Sequence, residues 1–446
     1  MKWFVGVLLL LAVALVLESG LLAYSMYVLL GLLVTSRFLA RSWTDKVHAY
    51  RKCSRLSGEV GQSVVVTVTI RNRGWLPIPW VLLEDLLPRR ALAPNNPRLR
   101  IKGKRLQVRM LKGNGVTTME YRLKLKMRGY YQVGPLVMES GDLFGLHRRY
   151  RVDADPQFVM VYPKVVPLQG YDLASRRPIG EVQFTHRLYE DPTRISGVRE
   201  YQAGDPLNRV HWRATARTGL LHCKVYEPST LAGATFLLDF HEAGYAPRGE
   251  PHRSELAVTA TVSLAQAVFE MGQQIGLVTN GRDAADRIRV EGWEQDYRTR
   301  QAARRKSTMQ EKSERLQPLI VDTRRGVEQF ERIRETLARV ELTDGLTFGE
   351  LVSEVAGRLP RDATVVALLP DVPAETALSL GNLRRRGYAV TAVLILIEEN
   401  HFDQCYGRLM AEGILDVRHL KDERELPTLC QQQVLRTTPY NLVTEY

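Results

Sequence analysis

Asp239 and Asp371 each stand at the end of an apolar run, Ala234 to Phe240 and Thr364 to Leu369. In a parallel sheet this is where carboxylates are presented to a ligand. Asp239, His241, Glu242 and His252 together offer the oxygen and imidazole ligands of a metal hydrolase. Neither a His-Glu-x-x-His helix nor a helix with paired histidines accompanies them. Ser229 and Cys223 are nucleophile candidates, but no Gly-x-Ser-x-Gly elbow or recognisable oxyanion loop surrounds either one. Cys223 sits in an alternating apolar run and reads as a buried structural thiol. Neither Gly-x-x-x-x-Gly-Lys-Ser/Thr nor Gly-x-Gly-x-x-Gly occurs, which disfavours nucleotide hydrolysis by this chain. No catalytic residue is assigned.

The elements that must hold the two aspartates alternate strand and helix. Ala234 to Phe240, Ile275 to Thr279, Thr364 to Leu369 and Ala389 to Ile397 read as strands, and Ser254 to Met271 and Ala374 to Arg386 as helices. This predicts a doubly wound, mostly parallel α/β sheet over 230–446. Its polar stretch 283–318, with Arg304, Arg305 and Lys306 at the centre, reads as an exposed insertion. Upstream, Val64 to Ile70, Leu106 to Met110, Val116 to Leu125, Tyr130 to Val137 and Gln157 to Val161 are β-branched runs divided by Gly, Pro and Asn turns. They predict a β-sandwich over 37–165.

The chain has 446 residues, 45% of them hydrophobic, and a formal net charge of +13, so general disorder is excluded. The basic excess is confined to 37–165, which holds 25 basic and 9 acidic side chains, net +16; 1–36 is neutral and 166–446 is net −3. Such a segment suits an anionic membrane surface or nucleic acid. Tyr121 to Arg128 alternates apolar and basic residues, with Tyr130 and Tyr131 available for stacking, but no RNA-recognition or single-strand signature accompanies them, so nucleic acid is disfavoured. The four cysteines, Cys53, Cys223, Cys405 and Cys430, are too dispersed for a disulfide scaffold and read as free thiols of a reducing compartment.

Two apolar runs, Phe4 to Leu17 and Leu21 to Thr35, flank Glu18. A cleaved signal peptide lacks a convincing cleavage site here, and one continuous span would bury Glu18 near mid-bilayer at a cost of about 2.5 kcal/mol or more. A transmembrane helical hairpin over 1–36, turning at Glu18 to Gly20, leaves that carboxylate at an interface. Lys2 before the first run and Arg37, Arg41, Lys46, Arg51 and Lys52 after the second place both ends, and the bulk of the chain, in the cytoplasm.

The least generic segment lies within 166–229. Gly204-Asp205-Pro206 reads as a turn feeding a short helix, with Asp205 as N-cap. Arg209, Trp212 and Arg217 then combine guanidinium forks with an aromatic surface suited to Glu200 or Glu227. The structural reading is an ion-pair clasp tying two domains together; the alternative is a partner- or anion-binding surface. Tyr201, Gly204, Asp205, Arg209, Trp212, Ala216, Arg217, Lys224, Tyr226 and Glu227 closely resemble the signature of the bacterial family catalogued as domain of unknown function number 58. The resemblance extends upstream to Arg128–Leu136, Gly141–Leu146 and Val161–Pro167. It implies a two-helix membrane anchor, a β-sandwich and a von Willebrand factor A-like domain, in all an α+β multi-domain chain. It also implies a MoxR-type AAA+ ATPase and a transglutaminase-like membrane protein as partners.

The von Willebrand comparison makes a metal question explicit. A full site would hold Mg²⁺ by Asp-x-Ser-x-Ser, a Thr and a second Asp. Here the first motif reads Asp239-Phe240-His241-Glu242-Ala243, with both serines replaced, while Thr347 and Asp371 could match the other two loops. Two hydroxyl oxygens are lost, so a degenerate domain without a tightly held metal is expected. The reading is a membrane-anchored cytosolic scaffold that binds partners through its α/β strand-end face. The rivals are a metal-dependent enzyme using the Asp239 face and an anionic-lipid or nucleic-acid binder using the basic sandwich.

Overall fold

The computed structural model describes residues 2–88, 90–93, 97–142, 145, 147–169, 190–202, 210–228, 233–245, 249–286, 316–361 and 363–430. They fall in two compact units. One is Met1–Lys164 with Arg282–Arg315 and Arg334–Leu342, and the other is Val165–Gly281, Leu316–Ile333 and Thr343–Tyr446.

The first unit begins with two helices, α1 (Lys2–Val16) and α2 (Gly20–Lys46), joined at Leu17–Ser19, where Glu18 takes φ 50°. The helices touch, and α1 buries Val7, Leu11 and Ala14, one face at helical spacing. At 1.5 Å per residue α1 is about 22 Å long and α2 about 40 Å. Among the described residues only α2 is long and apolar enough to cross a membrane. It also runs eleven residues beyond the apolar run that ends at Thr35. That extension buries Ser36, Ala40, Trp43 and Thr44 on the side that meets strands β9 (Leu136–Gly141) and β10 (Arg148–Asp153). Ser36 bonds His147 Nδ1 at 2.9 Å, and Arg151 donates to the terminal carbonyl of Asp45 at 2.9 Å.

The sandwich is built from two four-stranded antiparallel sheets. One has the order β1 (Val47–Cys53), β3 (Ser63–Asn72), β7 (Val116–Leu125), β5 (Leu99–Gly103); the other has β10, β9, β4 (Ile78–Asp85), β6 (Leu106–Leu111). A smaller three-stranded sheet joins β2 (Ser57–Glu59), β11 (Gln157–Tyr162) and β8 (Gly129–Val133). Alternation decides the core: Val64, Val66, Val68 and Ile70 of β3 and Met119, Tyr121, Leu123 and Leu125 of β7 are buried against Ile78, Val81 and Leu83 of β4, as period-2 patterning requires. The run expected as one strand over Tyr130 to Val137 is two strands, broken at Gly134, where φ is +96°.

At the end of β4 lies a buried ionic node. The Arg51 guanidinium pairs with both oxygens of Asp85, the two side chains being 1% and 0% exposed, and the Tyr121 hydroxyl donates to Asp85 at 2.6 Å. A Cβ on Gly134 would overlap that guanidinium, so glycine is required there by close approach as well as by φ. On the outer face, Arg100 pairs across strands with Lys124, and Lys102 with Arg122. Such directly opposed like charges repel unless an anion offsets them.

Asp283, the expected start of an exposed insertion, is buried instead, as is the preceding Arg282. They form β16 (Arg282–Asp283), paired with β18 (Val340–Glu341), and carry the ion pairs Arg282–Glu341 and Arg339–Asp283. Arg128 donates to the carbonyls of Leu337 and Val340, both at 2.8 Å. Residues 287–315 of the insertion lie outside the described residues.

In the second unit a six-stranded sheet runs in the order β17 (Leu319–Arg324), β15 (Gln274–Thr279), β14 (Gly233–Leu238), β19 (Ala363–Leu369), β20 (Val390–Ile395), β21 (Val417–Leu420). All neighbours are parallel except β15 and β17. Helix α4 (His252–Glu270) packs on β14, β15, β19 and β20. Helices α6 (Phe348–Val355), α7 (Ala374–Arg385) and α8 (Glu399–Ala411) complete a core with Leu237, Val365, Ala367 and Leu394; the signature helix α3 (Trp212–Thr218) also lies in this unit, while α5 (Val327–Arg339) is shared, its residues from Arg334 onward belonging to the first. The chain leaves β14 to build β15 on one side and returns to build β19 on the other. The β14/β19 junction is therefore the topological switch point, where ligands of open α/β sheets gather.

Candidate functional site

Asp239 directly follows β14, and Asp371 lies two residues past β19, so the two aspartates named from the sequence meet at the switch point. Their environments differ. Asp239 is 7% exposed. Its Oδ1 accepts from Asn280 Nδ2 at 2.9 Å and from the His241 N–H at 3.2 Å. Asn280, one residue past β15, also donates to the Leu346 carbonyl at 2.9 Å and accepts from the Phe240 N–H at 2.6 Å. Burial pushes the Asp239 carboxyl up from the ordinary aspartate range, and the charge of Asp371 adds to the rise against the lowering bonds from Asn280 and His241.

Thr347 is the N-cap of α6. Its hydroxyl donates to Glu350 Oε2 at 2.9 Å and accepts from the Glu350 N–H at 3.4 Å, while Glu350 reaches back to the Thr347 N–H at 2.8 Å. This is a capping box. Thr347 is thereby engaged in ending a helix, and its bonds hold Glu350 below the usual carboxylate range.

Asp371 is half-exposed. Its Oδ1 meets His401 Nε2 at 2.8 Å, the Val372 N–H at 2.7 Å and the Cys405 thiol at 3.7 Å. Burial raises this carboxyl, but the hydrogen bonds from His401 and Val372 outweigh it, and the net position is below the ordinary value.

The donors for Mg²⁺ are accordingly poor. His241 and Ala243 bring no side-chain oxygen, Asp239 is bonded to an amide and a backbone N–H, and the Thr347 oxygen serves a cap. Two carboxylates remain where a hard cation takes about six oxygens. Around the buried Asp239, three acidic side chains are exposed on neighbouring turns: Glu242 on the 3₁₀ turn Glu242–Gly244, Asp344, and Glu350 on α6. From the sequence, Asp239 and Asp371 read as the carboxylates presented to a ligand here. Asp239 is buried and bonded, so the exposed charge here belongs to the half-exposed Asp371 and to this rim.

Gly204, Asp205 and Arg209 of the signature segment lie outside the described residues, and with them the expected Asp205 N-cap. The described helix α3 starts at Trp212, with His211 as N-cap accepting the Ala214 N–H at 3.0 Å and Gly219, φ 72°, closing it. Strand β12 (Glu190–Glu200) pairs with β13 (His222–Pro228). Tyr201 donates its N–H to Leu221 O at 2.8 Å. Lys224 is half-buried and Cys223 buried in β13, and Glu227 lies in the same strand. Trp212 is 70% exposed, and Arg217 is also exposed, which runs against the ion-pair clasp read from the sequence. A seven-residue helix with no buried residue leaves both side chains to solvent. Trp212→Ala is accordingly expected to shift stability by no more than about 0.5 kcal/mol, measured by thermal unfolding; a loss above about 2 kcal/mol would restore the clasp.

Sequence reasoning gave no role to Asn280 or His401 and read Cys405 as a free thiol. Asn280 had a positional signal, following a strand as Asp239 does. His401 and Cys405 are four residues apart on one helix, a spacing that puts both on one face.

The family model described as "Protein of unknown function DUF58" matches residues 197–311, covering the signature and strands β14 and β15. The uncharacterized protein YeaD of Bacillus subtilis (strain 168) is 25% identical over 258 residues, which are 58% of this chain and 62% of that protein; the chain thus spans under two thirds of that relative. Among solved structures, proximal thread matrix protein 1 of the mussel byssus shares 13% identity over 45% of this chain and 46% of that one, with a TM-score of 0.30. The PapD-like domain of human CEP192 shares 13% over 26% and 84%, with a TM-score of 0.19. At TM-scores this low, neither likeness bears on function.

Proposed function

We propose that this chain is a membrane-anchored cytosolic scaffold whose α/β unit, read as von Willebrand factor A-like, docks a basic surface of a protein partner at the rim of its switch point. The observation that carries the reading is the contrast at that point. The buried Asp239 is bonded to Asn280 and His241, while Glu242, Asp344 and Glu350 stand exposed around it. A face built this way organises its loops by internal hydrogen bonds and offers exposed acidic charge, which favours electrostatic recognition over hard-metal chemistry. The family resemblance supports a MoxR-type AAA+ ATPase as the partner, with a transglutaminase-like membrane protein as a further associate. Mg²⁺ is not required for the function, and the metal-dependent enzyme reading has no full ligand set at Asp239. The test is capture from a detergent extract: the wild-type chain should retain an AAA+ ATPase, and a chain carrying Asp344→Lys and Glu350→Lys should not. Equal capture by both sinks the reading.

The anchor is α2 with α1 folded back as a two-helix hairpin, leaving Lys2 and everything after Arg37 in the cytoplasm. The basic residues following the apolar runs support this orientation. The paired cations Arg100/Lys124 and Lys102/Arg122 suit an anionic headgroup surface nearby. A reporter that works only after export, fused after Lys46, is expected to stay inactive, whereas activity there would mean a single exported span.

A further inference from the structure

We propose that Asp371, His401 and Cys405 form a binding site for a borderline divalent ion of the zinc class, distinct from any hard-cation site at Asp239. No two of their donor atoms, a carboxylate oxygen, an imidazole nitrogen and a thiol sulfur, are more than 4.8 Å apart. His401 and Cys405 project from one face of α8, four residues apart, and Asp371 comes to them from the loop after β19.

In a tetrahedral zinc site, neighbouring donor atoms are separated by about 3.5 Å, given metal–ligand bonds of about 2.0 to 2.3 Å. Cys405 Sγ lies 3.7 Å from Asp371 Oδ1, which needs no adjustment. His401 Nε2 lies 2.8 Å from the same oxygen, so seating an ion asks these two to part by about half an ångström. The His401 side chain is 43% exposed and has room to make that move, while Cys405 is fully buried.

The scaffold around the trio is held on both sides. Arg408, one turn along α8 from Cys405, donates to the Val372 carbonyl at 2.7 Å, and Arg253 donates to the Pro370 carbonyl at 2.8 Å. The Val372 N–H fixes the Asp371 carboxylate at 2.7 Å. These are the outer contacts that orient ligands in metal sites.

The donor set selects the ion. Nitrogen, sulfur and oxygen together suit Zn²⁺ or Co²⁺ and leave Mg²⁺ and Ca²⁺, which want oxygen alone, without a site. Three protein ligands leave the fourth position to water or to a group from a partner. Starting from a neutral imidazole and a thiol, loading moves the His401 proton to Nδ1 and releases the Cys405 proton to solvent, one proton per ion. The proposal does not rest on the docking rim, which uses Glu242, Asp344 and Glu350.

The experiment is a Co²⁺ titration of the tag-free, detergent-solubilised full chain, kept reduced with a phosphine. The expected result is a thiolate-to-cobalt charge-transfer band in the near ultraviolet that saturates at one ion per chain, is displaced by Zn²⁺ and is untouched by excess Mg²⁺. Cys405→Ser should abolish the band, and His401→Gln and Asp371→Asn should each weaken Co²⁺ binding by about tenfold or more. His401 is half-exposed, so His401→Gln keeps the metal-free melting temperature and reports on binding even if Cys405→Ser fails to fold. Replacing Cys53, Cys223 and Cys430 by Ser should leave the band intact. Absence of the band in the wild-type chain, its persistence in Cys405→Ser, or an unchanged affinity in His401→Gln would overturn the site.

Discussion

Asp85→Ala is expected to destabilise the sandwich unit by about 3 to 5 kcal/mol, the loss typical when one partner of a buried ion pair is removed. Asp85 and Arg51 are 0% and 1% exposed, so the variant leaves a guanidinium in the core with its carboxylate gone. Tyr121 also loses the acceptor of its 2.6 Å bond. The effect comes from the orphaned charge, because the pair itself is worth little against an apolar replacement. Arg51→Met combined with Asp85→Leu should therefore recover much of what Asp85→Ala loses. Denaturant unfolding of the solubilised chain, followed on the sandwich, measures both. A single variant within about 1 kcal/mol of wild type would show that solvent reaches the node.

Asn280→Ala and Asp239→Asn should move stability in opposite directions. Asn280 is buried and satisfies Asp239, Leu346 and Phe240. Its loss leaves a carboxylate, a carbonyl and an N–H short of partners, at about 3 kcal/mol or more. Asp239→Asn keeps an acceptor at Oδ1 and removes a buried charge. Burial, then Asp371, raise the Asp239 carboxyl in the fold, so the folded state holds that proton more tightly than the unfolded chain. The contribution of Asp239 is then fully present below about pH 4, the unfolded value, and is lost as pH rises through the raised folded value. Asp239→Asn escapes this loss and should match or exceed wild type at neutral pH, its advantage growing with pH across that window. Melting curves over pH decide it. A marked loss in Asp239→Asn at neutral pH, with Mg²⁺ stabilising wild type only, would bring back the metal reading.

The sheet around the site was legible because its strands are buried on both faces and read as short apolar runs. Gly233–Leu238, Gln274–Thr279 and Ala363–Leu369 fall within two residues of the stretches marked from sequence. The antiparallel edge strand Leu319–Arg324 was not, since it follows a polar stretch and is only partly buried. The extension of α2 to Lys46 was missed for a similar reason: beyond Thr35 the helix turns from apolar all round to amphipathic, burying only Ser36, Ala40, Trp43 and Thr44. Thr347 shows the limit for sites. Its Thr-x-x-Glu spacing is a helix-start signature in its own right, and a residue type that suits a metal loop suits a cap equally well. Trp212 and Arg217 show another, since a large aromatic beside arginines does not reveal whether neighbouring chain covers it.

The most direct test of the docking account is the affinity of the solubilised chain for the AAA+ ATPase proposed as its partner, compared among wild type, Asp239→Asn and the Asp344→Lys, Glu350→Lys double variant. The account predicts that Asp239→Asn binds as wild type does. The double reversal should lose about tenfold or more, since placing like charges at a contact costs over 1.4 kcal/mol, and wild-type affinity should fall with added salt as screened surface charge requires. Loss of binding in Asp239→Asn with full binding by the double variant would contradict it.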